Sequence, residues 1–519
     1  MTSTFHGLET ARRGMYTQQS ALHTTGQNIA NANTPGYSRQ RVNFEQTEPF
    51  PPASMNRPQI PGQIGTGVKA GSVQRVREEF LDVQYRGEAT KTGYWEARQD
   101  SLKKMEEIMN EPSESGLSNT MDMFWQSLQD LAVNPTNAGA RSVVSQRGLD
   151  VTSTFHYLSN SLTSIKEDYK SEIEVSEKAM NSILEQIDAV NNQIGGVEPH
   201  GYVPNDLYDE RDRLIDQLSE FVNVNVTYEP SGGNQSPIAM GKAIVKLVNG
   251  DGTELGTLVN ASGGINQVKV NFDGTDDSVK TISVGGSAIN YSDWNSSGKI
   301  KALVETYGYQ DGSSVTGLYP DMLSELDNLA YTFAQEFNAV HISGMSPNEI
   351  NNGNTPADIN FFEADASGVP TGGKAGFASR IQVSQDILHS IDNIATADGT
   401  NPATATLGDN SNIRLLSDVI NKEFDYSGNS ELATFRGYYE SVIGGMAVDS
   451  ATAVRLAGNS GQLKQSVENR RMQVSSVSVD EEMTNMIQFQ HAYNASARMI
   501  SLTDELLDKV INGMGTGGR

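Results

Sequence analysis

Apolar residues recur every seven positions at the start of the chain, at Leu8, Met15, Leu22 and Ile29, with Phe5 and Ala11 beside them. Polar residues fill most of the gaps, so the pattern predicts one helix over residues 4–30 with a single narrow apolar seam. That helix must stop before residues 31–37, NANTPGY, because Pro35 disfavours helical geometry at Thr34 and Gly36 permits a tight turn. The end of the chain behaves alike. Met483, Met486, Gln490, Tyr493, Ala497, Ile500, Asp504, Leu507 and Ile511 follow steps of three and four, and most are apolar. Ser478 and Glu481 form an S-x-x-E start signal and Gly513 a stop, which predicts a helix of roughly 34 residues, about 50 Å long.

Between these ends, residues 78–228 read as further helices. Leu81, Tyr85, Trp95, Leu102, Met105 and Met109 lead into Leu117, Met121, Phe124, Leu128 and Leu131, which stop at Asn134-Pro135. More helices are expected over 155–165, 173–194 and 207–221, and a bundle is their natural packing. After Pro230 the pattern changes. Residues 231–317 hold 15 of the 49 glycines, and Val268, Val270 and Phe272, then Ile282 and Val284, alternate with the period of a strand. Helical spacing returns at 322–340, 413–424 and 430–474, with a loop-rich stretch over 343–376. The expected fold is mainly α with an inserted β-rich domain: paired terminal coiled-coil-like helices, an elongated helical bundle and an outward β domain. The divisions are 1–60 with 475–519 for the terminal-helix unit, 61–230 with 318–474 for the bundle, and 231–317 for the insert.

At 519 residues the chain exceeds one usual domain, and its 38 basic against 64 acidic residues give a net charge of -26. A field of that sign repels phosphate backbones, so nucleic acid is not an expected partner. The imbalance is uneven, because residues 1–77 carry eight Lys or Arg against three acids. No cysteine is present, which removes disulfides, thiolate nucleophiles and Cys-ligated metals. No run of about 18 apolar residues suggests membrane insertion, and the first 30 residues lack the apolar stretch of a cleaved signal. By these general rules the chain reads as cytosolic.

Candidate chemistry is sparse. GVPTGGKA over 368–375 matches the spacing of a phosphate loop but has Ala375 where a Ser or Thr must contact magnesium. GTGVKAG over 65–71 has one residue too many for a dinucleotide fingerprint and reads as a turn. The cluster Asp209, Glu210, Arg211 and Asp212 could supply paired carboxylates, but on a helix this spacing reads as a solvated, salt-bridged face. None of the seven histidines has metal-ligand spacing, and the acidic loop 273–277 lacks the full calcium pattern. No catalytic residue, cofactor or metal is expected. The strongest signal is the pair of terminal seams, which are narrow and differ in charge: residues 475–519 carry six acids against three bases. They look built to pair with each other and with copies of themselves.

Three ordered motifs carry a family resemblance. Residues 21–42, ALHTTGQNIANANTPGYSRQRV, resemble the N-terminal motif of the flagellar rod, hook and hook-associated axial proteins. Residues 478–511, SVDEEMTNMIQFQHAYNASARMISLTDELLDKVI, resemble their C-terminal motif, and residues 64–86 the segment after the first helix. The interior segments 115–141, 205–224 and 326–344 look like the helical domain of a hook-associated member at the hook-filament junction. The resemblance implies a structural protein that is not an enzyme, exported without signal cleavage and assembled outside the cell, which overturns the cytosolic reading.

It further implies that Leu8, Met15, Leu22 and Ile29 pack against Met483, Met486, Tyr493, Ala497, Ile500 and Leu507. Asn31, Asn33, Pro35, Gly36 and Tyr37 form the turn leaving the tube wall. The implied partners are copies of itself, the hook protein, the second junction protein (hook-associated protein 3), an export chaperone and the type III export apparatus. Two alternatives stay open: a hook or distal-rod subunit, favoured by a β-rich region 78–228, and a wall-active enzyme on an axial scaffold, favoured by an ordered carboxylate pair in a cleft.

Overall fold

The structure is a computed structural model that describes all residues except 1–3, 52–53, 56–61, 110–112, 114–115, 275–276, 313, 354, 365–372, 427–431 and 514–519. The chain opens with α1 (Thr4–Ala30), a ribbon of β1 (Gln40–Gln46) and β2 (Val68–Arg75), and then α2 (Glu79–Met109), α3 (Leu117–Val133), α4 (Ala138–Val197) and α5 (Asn205–Phe221). Strands β3 (Val224–Glu229), β4 (Lys242–Val248), β5 (Glu254–Val259), β6 (Val268–Phe272), β7 (Val279–Val284) and β8 (Ser287–Asn290) follow. Next come α6 (Lys299–Tyr307), β9 (Tyr309–Asp311), β10 (Ser314–Thr316) and α7 (Leu318–Ile342). A segment of short elements comprises β11 (Gly344–Met345), α8 (Pro347–Asn351), β12 (Phe362–Ala364), β13 (Ile381–Val383), α9 (Gln385–His389), β14 (Ala397–Asp398), α10 (Ser411–Asp418), β15 (Phe424–Asp425) and β16 (Leu432–Ala433). The chain closes with α11 (Phe435–Ser475) and α12 (Val479–Gly513).

The two helices expected over 155–165 and 173–194 are one. At 60 residues α4 is about 90 Å long, started by the Asn137 side chain, which accepts from the Gly139 and Ala140 amides. The polar run 166–172 looked like a break, but it contains no Gly or Pro, and Tyr169 carries the buried stripe across it from Leu162 to Ile173. Propagating a formed helix through such a run costs little. Phe124 of α3 forms the centre of an aromatic core with Phe333 and Phe337 of α7 and Phe361 and Phe362 near β12.

The strands form a three-stranded sheet, β3-β4-β5, and a five-stranded one in the order β10-β9-β7-β6 with β8 also on β7. Their apolar faces join the helical core, since Val245, Leu258, Val270 and Ile282 are buried in one cluster with Ile187 and Ile194 of α4. Edge strand β6 is covered by α4, where Asn181 donates to the Val268 carbonyl (2.8 Å) and accepts its amide (2.9 Å), and Glu177 accepts the Val270 amide (2.9 Å). At the other side of the bundle α2 lies so close to the last turn of α5 that a Cβ on Gly93 would sit 2.3 Å from the Glu220 carbonyl oxygen.

His341, at the end of α7, is buried and neutral. Nδ1 donates to the Ile359 carbonyl (2.8 Å) and Nε2 accepts the Ala395 amide (3.1 Å), which ties two loops to the core. Burial lowers its pKa to about 4, against smaller opposing influences of the Ile359 hydrogen bond and then Glu349. The unfolded chain therefore binds a proton that the folded one refuses, so this contribution to stability is complete above about pH 6.5 and is lost as pH falls towards 4, by up to about 3 kcal/mol. Denaturation of wild type and His341→Gln across pH 4–7 should show the acid-side slope reduced in the variant; equal slopes would refute the assignment.

Candidate assembly site

The termini pair with each other in antiparallel register. Asn28 of α1 donates to Glu482 of α12 (3.1 Å), and fourteen residues earlier Gly14 faces Ser496, whose hydroxyl a Cβ would approach to 3.2 Å. Of the expected seam, Leu8, Met15, Leu22 and Ile29 are half-buried, as are Met486, Tyr493, Ala497, Ile500 and Leu507, whereas Met483 is 54% exposed. The deepest positions of α1 are instead small or polar: Thr17, Ala21, Thr24, Thr25 and Asn28. Thr17 is held there because its hydroxyl donates to the carbonyls of Arg13 (2.8 Å) and Val68 (3.2 Å), which lets α1 lie close against β2.

Asn28 is completely buried and uses every hydrogen-bonding position it has. Nδ2 donates to Gln40 O (2.8 Å) and Glu482, and Oδ1 accepts the Tyr37 hydroxyl (2.9 Å) and the Gln40 amide (3.0 Å). In the turn, Asn31 donates to Gln27 O (3.1 Å) and accepts from Thr34, Gly36 takes φ +81°, and Asn33, Pro35 and Gly36 face outward. Burial, with Asp206, Asp209 and Glu482 close by, raises the Tyr37 hydroxyl above its ordinary range, so it stays a donor. Beyond the turn, Arg39 pairs with Glu482 and Glu481 (both 2.8 Å), and its amide donates to Ser475 O (2.8 Å). The Arg39 carbonyl also accepts the Val76 amide (2.8 Å), so both chain crossings into the terminal unit, at 76–78 and 476–478, are pinned beside this residue.

The cluster expected to be solvated is buried. Asp209, Arg211, Asp212 and Asp216 of α5 are all inside, while Asp206 and the Glu210–Arg213 pair (2.5 Å) lie at the surface. Arg75, the last residue of β2, bonds Asp209 (2.8 Å) and Asp212 (3.0 Å); Arg77 grips Asp82 through two bonds (2.7 and 2.9 Å). Arg86 of α2 and Arg471 of α11 meet at Asp216 (2.8 and 2.5 Å). Burial alone would raise the Asp212 carboxyl, but Arg77, Arg75, Arg211 and Arg86 hold it far below the carboxylate range. Arg211 is lowered by burial; it donates to Gly241 O (2.7 Å) and lies against the Tyr208 and Tyr228 rings. Asp82, Asp209, Asp212 and Asp216 are each matched to guanidinium groups, an arrangement that holds elements in place.

Among the described residues no helix is long and apolar enough to cross a membrane, and no group of three His, Asp or Glu could hold a metal. Most of the 368–375 segment and part of the 273–277 loop lie outside the described residues; Lys374 donates to the Tyr426 carbonyl (2.6 Å).

The two terminal motifs and the helical interior each match a known family. Residues 8–37 match the flagella basal body rod protein family, residues 469–513 the flagellar basal body rod FlgEFG protein C-terminal family, and residues 102–362 the flagellar hook-associated protein FlgK helical domain. Flagellar hook-associated protein 1 of Bacillus subtilis (strain 168) is 42% identical over 525 residues, covering 100% of both chains. The chain belongs to the flagellar hook-associated protein 1 family. The Escherichia coli (strain K12) member is 24% identical, over 97% of this chain and 99% of that one. The solved flagellar hook junction protein FlgK from Burkholderia pseudomallei shares the fold, with a TM-score of 0.57 at 13% identity, covering 77% of this chain and 100% of that chain.

As a member of the hook-associated protein 1 family the chain is a structural component of the extracellular flagellum, is not an enzyme, and assembles with other flagellar hook and rod proteins. Helices α2 to α5 fill most of residues 79–221, which is the arrangement expected of a hook-associated member and not of a hook or rod subunit. Sequence reasoning missed Asn28, Glu482 and the buried face of α5. An asparagine in the last turn of α1 and aspartates at 209, 212 and 216, spaced to share one face of α5, were the available signals.

Proposed function

We propose that the chain is a mechanical adaptor between hook and filament, with the terminal pair α1–α12 as its inner tube element. The observation that carries this is a second apolar stripe on α12. Ile487, Met499, Leu502, Leu506 and Val510, with Met483, are each about half exposed while the opposite face of the helix packs on α1. These side chains form a pair at 483 and 487 and a patch over 499–510, separated by exposed polar positions, and completing their burial requires neighbours. Contacts between unlike surfaces repeat into a helical tube instead of closing as a dimer.

On this reading Leu8, Met15, Leu22 and Ile29 with Met486, Tyr493, Ala497, Ile500 and Leu507 hold the tube element together, Met483 belongs to the neighbour-facing stripe, and residues 31–37 carry the chain out of the tube wall. Residues 1–60 with 475–519 form the tube unit, which also takes in β2 (68–75) because it pairs with β1; the rest of 61–230 with 318–474 form the next shell, and 231–317 an outward-facing part. The partners are other copies, the hook protein and hook-associated protein 3, reached after type III export with a chaperone and without signal cleavage. Immunogold labelling of isolated flagella tests the placement: a band confined to the hook-filament boundary is expected, and label along the hook would overturn it.

A further inference from the structure

The contact between the terminal unit and the rest of the molecule has an unusual composition. The continuous apolar core contains residues from α2 to α11 but, among the described residues, none from α1, β1, β2 or α12. What spans the boundary is polar. Asp206 accepts from Gln27 of α1 (3.2 Å) and Gln40 of β1 (2.9 Å), and Asp209 accepts the Ser38 amide (3.0 Å) and Arg75 of β2. One and two turns further along the same helix face, Asp212 and Asp216 accept from the side chains at the roots of α2 and α11. Helix α5 itself is anchored in the core by Leu214, Ile215 and Leu218.

Apolar contacts are non-directional and let surfaces slide, whereas charge-assisted and bidentate bonds hold only in one geometry. A notch of about 260 Å³ between residues 31–37 and the exposed side of α5 leaves space beside the turn. We propose that the carboxylate face of α5 is the joint that sets the direction in which the terminal helix pair leaves the helical domain. Asp206 and Asp209 grip the terminal unit, Asp216 grips the helices below it, and Asp212 bridges the two by facing both Arg75 of β2 and Arg86 of α2. With the upper pair removed, the covalent crossings at 76–78 and 476–478 and the remaining Asn205 and Asp212 bonds to β2 are too few to fix the angle, and the terminal pair keeps its own fold but loses its direction.

The absence of cysteine makes the test direct. Spin labels at Gln465→Cys on α11 and Gln490→Cys on α12, both exposed, report the angle between these helices in dilute monomer. The parent should give one narrow distance. Asp206→Ala with Asp209→Ala should lose it and give a broad distribution, while Glu210→Ala in the same helix leaves it narrow. Circular dichroism and the thermal transition of the central domains monitor folding. If the double variant does not fold, Asp209→Asn carries the same readout, since burial already pushes that carboxyl up and neutralising it is mild. An unchanged narrow distance in a folded variant, or a broad one in the parent, overturns the proposal. The measurement is made on monomer, so it stands or falls independently of where labelled protein sits on the flagellum.

Discussion

Replacing Asp212 by asparagine is expected to lower the stability of the helical domain by about 3–5 kcal/mol, the scale for removing one partner from a buried ion cluster. The side chain is almost completely enclosed and faces Arg75 at 3.0 Å, Arg77 at 3.4 Å and Arg86 at 3.6 Å, with the buried Arg211 adding to the positive field. Without its charge the excess of guanidinium groups over carboxylates in this largely buried cluster grows. The sign with pH follows from its depressed pKa. The stabilisation is present above the unfolded carboxylate value near 4 and is lost only as pH falls below it, so the variant should differ fully from wild type at neutral pH. Urea denaturation supplies the measurement. Glu210→Gln, which removes one partner of the exposed pair with Arg213, should change stability by less than about 1 kcal/mol. A loss below about 1 kcal/mol for Asp212→Asn would show that the cluster is solvated after all.

The second large effect is on assembly. The antiparallel register places Ile500 near Thr10 of α1, half-buried in the terminal pair. Ile500→Asp puts a carboxylate into the seam between α1 and α12, a cost of several kcal/mol per subunit on a scale where one is already large, and so loosens the element that neighbouring copies must meet. No residue of α12 belongs to the apolar core of the helical domain, so that domain should keep its thermal transition. The expected phenotype is an exported, folded protein absent from the junction, with filament subunits leaking into the medium. Normal assembly would refute the role of the seam. Simultaneous loss of the central transition would show the terminal helices to be ordinary core.

Much of the architecture was legible in the residue pattern. The seven-residue spacing from Leu8 to Ile29, with the stop at Pro35 and Gly36, located a helix observed as Thr4–Ala30, and the steps from Met483 to Ile511 located one observed as Val479–Gly513. The glycine-rich alternation after Pro230 located strands. These are local properties: helix periodicity and turn chemistry depend on residues within one or two turns of each other, and the chain states them wherever it ends up.

The burial of α5 was not of that kind. Within NDLYDERDRLIDQL a run of alternating charges reads as a solvated face, because the local pattern is the same whether the helix meets water or arginines. Its counterions lie 134 residues away at Arg75 for Asp209, 130 at Arg86 for Asp216 and 255 at Arg471 for Asp216, and only the packing of β2, α2 and α11 brings them together. Asn28 is similar, since its satisfaction by Glu482 across 454 residues exists only once the two ends have paired. The sequence by itself determined which segments are helix, strand and turn, and that both ends carry narrow seams. The tertiary structure decided which charges are buried, because the sign of a burial energy depends on the partners a fold supplies and not on the helix that carries the group.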